Sequence, residues 1–360
     1  MKKFIASLLL VAVCFGMLTG CGHAETDAGN TRTITDGAGR QVKVPEKVTS
    51  VVCVGVGALR YTCYMGAQDL VVGVEDCEKE PVLSRLYNYV NIDKFRTLPV
   101  IGTNGNPYAE EIIKIAPDVI VMSKSASVEA DDLQKKTGTP VVVVPGSDTT
   151  LDQNAYDTIR IMGKLYGKQT RAEELTAYLK NIAKDLDERT KDIPDGEKPT
   201  VYVGGVSFKG HHGFEGTEAG YGPLALIHAE NLADTTGKTG AFNIDLEQVL
   251  AWNPDVIFVD FNGMSLIKEA YTQNPDYYNA FTAVQTGRVY SQISFRSNAS
   301  NLETALADAY YAACVIYPEQ FKDVDPVTKA GEIFETLLGV NPYDKLKENG
   351  YEFRQVKIGE

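Results

Sequence analysis

Short runs of β-branched and apolar residues, each set off by helix-patterned stretches, recur along this chain in two sets, and that alternation constrains the fold most. In the first half SVVCVGV (50–56), LVVGVE (70–75), DVIVMS (118–123) and PVVVVP (140–145) read as strands buried on both faces. The second half repeats the pattern with TVYVGGV (200–206), DVIFVDF (255–261) and RVYSQI (288–293). Doubly buried strands separated by helices predict parallel sheets in α/β layers. Between the two sets, Thr170–Lys191 carries Leu175, Tyr178, Leu179, Ile182 and Leu186 on one stripe before Pro194-Asp195-Gly196 stops it. That pattern predicts a helical rod of about 30 Å.

The expected fold class is therefore α/β, with two pseudo-symmetric α/β lobes, mainly parallel central sheets, one long joining helix and a ligand cleft between the lobes. The boundaries that follow are an N-terminal lobe over 32–168, a linking helix over 169–193 and a C-terminal lobe over 194–360. A gapless echo supports the symmetry, since Asn106–Ile120 aligns on Asn243–Ile257 with six identities in fifteen positions. Each unit opens with an asparagine suited to capping a helix, carries a glutamate four residues on, Glu110 or Glu247, and stops at Pro-Asp before a buried strand. Ahead of the first sheet, Thr33–Val44 alternates about Asp36-Gly37, a hairpin signal.

The N-terminal stretch reads as a targeting segment. Lys2 and Lys3 precede an apolar run, Phe4–Leu18, that is too short to span a bilayer, and Leu18-Thr19-Gly20-Cys21 has the form of a lipoprotein cleavage site. Residues 1–20 are expected to be a signal peptide, Cys21 the lipidated residue and 21–31 a polar tether, giving an extracytoplasmic protein held on the cell membrane by lipid alone. Removing residues 1–20 takes away two lysines and no acids, leaving 33 basic against 48 acidic residues, or −15. Such a surface excludes nucleic acid and anionic lipid headgroups as partners. Of the six cysteines, Cys14 falls in the signal, and Cys53 and Cys314 sit in apolar runs as buried thiols. A Cys63–Cys77 bridge is left open by the spacing.

Ligands of open α/β sheets bind beyond the carboxyl ends of the strands, so the loops there hold the candidate site. Those loops carry Arg60 and Tyr61, Lys124, Lys209 with His211, His212 and Phe214, and Arg296. Four cations gathered at one edge of an acidic protein focus field on an anionic ligand. Tyr221 offers a phenol oxygen or a stacking face. His211 and His212 are the candidates for metal ligation, but His23 and His228 are the only other histidines, too few for a closed zinc site. No catalytic residue and no intrinsic cofactor are read from the chain. Gly55-x-Gly57 with Glu75 approaches a dinucleotide fingerprint, yet Arg60 stands where the third glycine belongs. Gly205-Val-Ser207-Phe-Lys209 has lysine where a nucleophile elbow needs its second glycine. Both near-matches favour a binding protein over an enzyme.

Thr33–Pro45, Gly66-Ala-Gln-Asp-Leu-Val-Val-Gly73 and the two Pro-Asp-Val-Ile segments, taken with the lipobox and the tandem lobes, make the chain resemble the substrate-binding lipoproteins of ABC importers. The likeness is to the iron-complex and cobalamin branch, of periplasmic-binding-protein-2 type, and covers roughly residues 31–340. The resemblance implies rigid lobes on a single helix and a partnership with a permease dimer and its ATPase. It also implies that Glu110 and Glu247, one per lobe, dock on permease arginines. The implied cargo is a small-molecule metal chelate, with a ferric siderophore as first choice. Haem or cobalamin is the alternative, with Tyr221 or His211 as axial ligand and Arg60 or Arg296 on haem propionates. A chelatase-like, metal-handling enzyme on the same fold is the remaining alternative.

Overall fold

A computed structural model describes residues 30–147 and 149–359. The expected signal peptide, Cys21 and all of the tether before Asn30 lie outside the described residues.

The hairpin comes first, with β1 (Thr31–Thr35) antiparallel to β2 (Gln41–Pro45). Asp36 accepts from the Ala38 and Arg40 amides, at 3.0 and 2.9 Å, and so closes the turn. The first sheet contains β3 (Val51–Val54), followed by α1 (Ala58–Tyr64), then β4 (Val71–Gly73), α2 (Ala109–Ile115), β5 (Val119–Ser123) and β6 (Val141–Val144). Its strands are parallel in the order β4-β3-β5-β6. β3, β5 and β6 are buried at every position, as their unbroken Val/Ile/Cys/Met runs require of a sheet covered on both faces.

The helices α3 (Gln153–Tyr166) and α4 (Gln169–Thr190) follow. Gly163 admits the close crossing between them, since a Cβ there would meet Ala172 Cβ at 2.5 Å. The 22 residues of α4 bury Leu175, Leu179, Ile182 and Leu186 on the predicted stripe, with Tyr178 at its edge. A second parallel sheet then forms from β7 (Thr200–Gly204), β9 (Glu230–Asn231), β11 (Val256–Asp260) and β12 (Val289–Gln292), in the order β9-β7-β11-β12. A short antiparallel ribbon joins β8 (Gly216–Ala219) to β10 (Gly240–Asn243), and α5 (Leu246–Trp252) leads into β11. The chain ends with α6 (Leu302–Ile316) and α7 (Pro326–Leu338) and a tail whose Val356 amide donates to Val289 O at 2.8 Å.

The echo between the halves holds at the level of single atoms. Ala116 and Asn253 each end their helix in the left-handed region, at φ 50° and 45°. Asp118 then accepts from the Thr49 amide and hydroxyl at 2.7 Å, and Asp255 from those of Thr200 at 2.9 and 2.8 Å. Each aspartate fastens the start of one central strand to the start of its neighbour. The expected asparagine caps are corrected, because Asn106 and Asn243 lie in short ladders ahead of the helices. The capping positions belong to Tyr108, which makes no side-chain bond, and to Asp245, which accepts from the Glu247 amide at 2.9 Å.

One apolar cluster runs through both lobes, from Tyr61, Tyr64 and Met65 of the first to Leu302, Leu306 and Phe334 of the second. Smaller clusters lie on the far face of each sheet. Arg171 of α4 donates to Tyr64 O at 3.1 Å and to Thr336 O of α7, which ties the returning C-terminal helices to the first lobe. A shared core of this kind resists hinge opening, since separating the lobes would expose contiguous apolar surface.

Candidate ligand-binding cleft

In each sheet the connections run outward in opposite directions from the two central strands, which puts the crevice at the carboxyl ends of β3 and β5 in one lobe and of β7 and β11 in the other. Chain reversal there uses left-handed glycines, Gly57 at φ 90° and Gly205 at φ 85°. Gly205 also packs on Gly263, where an added Cβ would lie 2.3 Å from Gly205 Cα. Only two glycines allow the β7 and β11 loops to approach so closely.

A cavity of about 660 Å³ opens between the lobes, with Val82 and Ser84, in the segment after β4, on the first lobe's wall and Ser207–His211, Asn262 and Arg296–Ala299, in the loops after β7, β11 and β12, on the second's. Of the sequence-derived site residues, Lys209, His211 and Arg296 line it. Lys209 is exposed at the tip of its loop with φ 51° and has no ion-pair partner among the described residues. His211 is exposed, with Nδ1 3.4 Å from Ser207 Oγ. Arg296 is held by Glu218, a buried carboxylate that accepts from Nε at 2.9 Å and also from Nη2, while Nη1 donates to Ser300 Oγ at 3.1 Å. Burial raises the Glu218 carboxyl above the usual carboxylate range and Arg296 acts against that rise.

The remaining site residues are placed otherwise. Arg60 is only 2 % exposed and spends its donors on the loop 297–301 of the other lobe. Tyr61 is buried edge-on to Tyr64. Phe214 sits in an aromatic cluster with Tyr202, Tyr278 and Phe281 beneath the second sheet. Tyr221 is fully buried, donates to Gln292 Oε1 at 2.7 Å, and so cannot serve as an axial ligand in the cleft. His212 stacks flat on Phe208, centroids 3.9 Å apart, with Nε2 2.8 Å from Phe208 O, an arrangement that occupies the ring in shaping its loop. Lys124 is exposed at the end of β5 but outside the cavity lining. Large aromatics next to strand ends are drawn into the core by their area, and a guanidinium is drawn inward wherever carbonyls converge.

Residues the sequence did not single out complete the walls, chiefly Ser84, Asn262 and Asn298. Asn262 follows Asp260, whose Oδ1 accepts from the Asn262 amide at 2.9 Å and from Ser294 Oγ. Burial pushes the Asp260 carboxyl up to about 7. Single small polar residues in loops leave no local signal. Among the described residues no group of three or more His, Cys, Asp and Glu side chains is placed to hold a metal ion, and Cys53, Cys63, Cys77 and Cys314 are all free thiols.

The family profile described as Periplasmic binding protein matches residues 51–292, from the first strand of one sheet to the last strand of the other. The chain belongs to this family. Among relatives, an uncharacterized ABC transporter substrate-binding lipoprotein of Bacillus subtilis, YvrC, is 25 % identical over 338 residues, covering 88 % of this chain and 98 % of the relative. The Fe(3+)-citrate-binding protein YfmC of the same organism is 23 % identical, covering 81 % and 87 %. A solved structure of the molybdate periplasmic binding protein MolA of Haemophilus influenzae, bound to molybdate, superposes with a TM-score of 0.67 at 20 % identity, covering 86 % and 98 %.

In this periplasmic binding protein, Glu110 and Glu247 are the second residues of α2 and α5, both exposed, and neither carboxylate has a partner among the described residues. Glu111, beside the first, is engaged by Lys114 at 2.6 Å. Tyr108, which caps α2, and Ile113 within it are 43 % and 48 % exposed, so apolar surface accompanies the Glu110 charge. No helix of the described residues is long and apolar enough to cross a membrane.

Proposed function

We propose that this chain is the solute-binding component of an ABC importer and that it captures an anionic iron complex, a ferric siderophore or ferric citrate, in the interlobe cleft. The observation that carries the reading is the unpaired Lys209 beside His211 and Arg296 on one wall of a cavity of about 660 Å³, in a chain whose net charge is −13. Cations retained in a crevice against the sign of the whole surface attract a negatively charged solute, and the volume suits a chelate larger than a bare ion. Ferric citrate and molybdate, the solutes named for two similar proteins, are both anions. The relatives are solute-binding proteins, which favours capture over turnover.

Delivery follows from Glu110 and Glu247. One free carboxylate per lobe, at equivalent points of a repeated unit, suits two equivalent basic sockets on a two-fold permease dimer served by its ATPase. The lipid on Cys21 would hold the protein at that membrane, and Cys21→Ser should leave the precursor unlipidated and its processing impaired while the folded domain still binds solute. The test of cargo is the mass spectrum of the solute that co-purifies under native conditions. An iron chelate bearing negative charge supports the reading; a neutral or cationic solute refutes it.

A further inference from the structure

The loop Phe295–Asn301 turns several of its carbonyls toward the other lobe. Its carbonyls converge on Arg60, which donates from Nε to Asn301 Oδ1 at 2.9 Å, from Nη1 to Ser300 O at 2.8 Å, and from Nη2 to Ser297 O at 3.3 Å and to Asn298 O. Asn301 adds Nδ2 bonds to Phe295 O at 2.9 Å and Ser297 O at 3.0 Å. No carboxylate lies within ion-pair distance of Arg60 among the described residues, so a buried cation is satisfied by neutral oxygens of one loop. The loop achieves this by holding Asn298 and Ala299, neither a glycine, in the left-handed region at φ 51° and 63°. Two such residues in succession are costly and persist only where surrounding bonds over-determine them.

A trans peptide carries its C=O and N–H on opposite sides, and none of the peptide bonds here is cis. With Ser297 O and Asn298 O turned to the guanidinium, the amides of Asn298 and Ala299 point away from it. Neither amide has an acceptor among the described residues, both residues are exposed, and both line the cleft beside Arg296. We infer that the backbone N–H groups of Asn298 and Ala299 form an anion-binding nest in the cleft, and that Arg60 is its positioning residue, acting from the other lobe by drawing the loop's carbonyls away from the ligand. Its ligand is an oxyanion or a carboxylate of a chelate. The inference deepens the proposed function and rests on the cleft taking an anion. It also gives Arg60 a part in recognition without contact with the solute.

The test is amide NMR of the protein titrated with molybdate and with the diamagnetic gallium(III) citrate in place of ferric citrate. Binding of either probe should move the Asn298 and Ala299 amide protons downfield in the parent. Arg60→Gln should weaken binding roughly ten- to a hundredfold and abolish those shifts, with Arg60→Lys recovering part of both. Should a probe bind while both amides stay in place, the nest is refuted and solute capture stands, a result the parent gives whether or not the variants fold. Should neither probe bind, the nest as an oxyanion site is refuted, while capture of an anionic siderophore still stands or falls on the solute that co-purifies. Retention of the parent shifts in Arg60→Gln would overturn the positioning role.

Discussion

Asp260→Asn should invert the order of stability between acidic and alkaline pH. The parent carboxyl is fully buried at the end of β11, with Oδ1 bonded to Asn262 N and Ser294 Oγ and Oδ2 without a partner. Burial is the main cause that lifts it from 3.8 to about 7, against the lowering by Ser294 and Asn262. Because the folded value lies above the unfolded one, between about pH 4 and 7 the native state keeps a proton that the unfolded chain releases. Stability therefore falls as pH rises through that window. At about 1.4 kcal/mol per unit over roughly three units, the loss approaches about 4 kcal/mol above pH 7. Asparagine keeps an acceptor for Asn262 and Ser294 and cannot ionise, but it places an amide N–H where Oδ2 has no partner, at a cost of about 1–3 kcal/mol at every pH. Urea denaturation near pH 4 should find the parent more stable by about that amount, and near pH 8 the variant more stable by about 1–3 kcal/mol. Parallel stability curves for the two proteins across this range would show that Asp260 does not titrate between folded and unfolded states as described.

Glu110→Ala and Glu247→Ala should each lower solute uptake in cells, the double variant most, while solute affinity and Tm stay at the parent values; a loss of affinity would place either glutamate in the cleft instead. Arg296→Met strands the buried Glu218 carboxylate and should destabilise by about 3–5 kcal/mol in urea, with Glu218→Gln in the same chain restoring most of it. Gly222→Ala brings a Cβ to 1.7 Å from Thr150 Oγ1 across the lobe boundary. Thermal unfolding should report a loss of about 1–3 kcal/mol, partly relieved by Thr150→Ala.

Much of the fold was legible because the strands that matter are buried on both faces. Val141–Val144 and Val119–Ser123 have the unbroken apolar runs of strands in a sheet covered on both faces, and the stripe on α4 has one solution. The edge strand Glu230–Asn231 and the ribbon β8–β10 escaped notice, since two to four mixed residues carry no period. The site was legible as a region rather than as a residue set. Cations at strand ends pointed to the interlobe crevice, and Lys209, His211 and Arg296 line the cavity there. Arg60 looked equivalent to them in sequence, but its fate depends on carbonyls some 240 residues away, and that of Arg296 on Glu218, 78 residues back. Such pairings exist only after folding, so residue type and spacing could not separate a free cation from a satisfied one.

On the proposed reading, Lys209 and its neighbours hold an anionic iron complex in the cleft. Calorimetric titration of the protein with ferric citrate and with anionic ferric siderophores, run beside Lys209→Ala, measures this binding. The titration should show one saturable site per chain for at least one of these anions, an affinity that falls with added salt, and a roughly five- to hundredfold weaker Kd in the variant. Equal affinity in parent and variant, or saturable binding of an uncharged chelate with none of the anions bound, would contradict that reading.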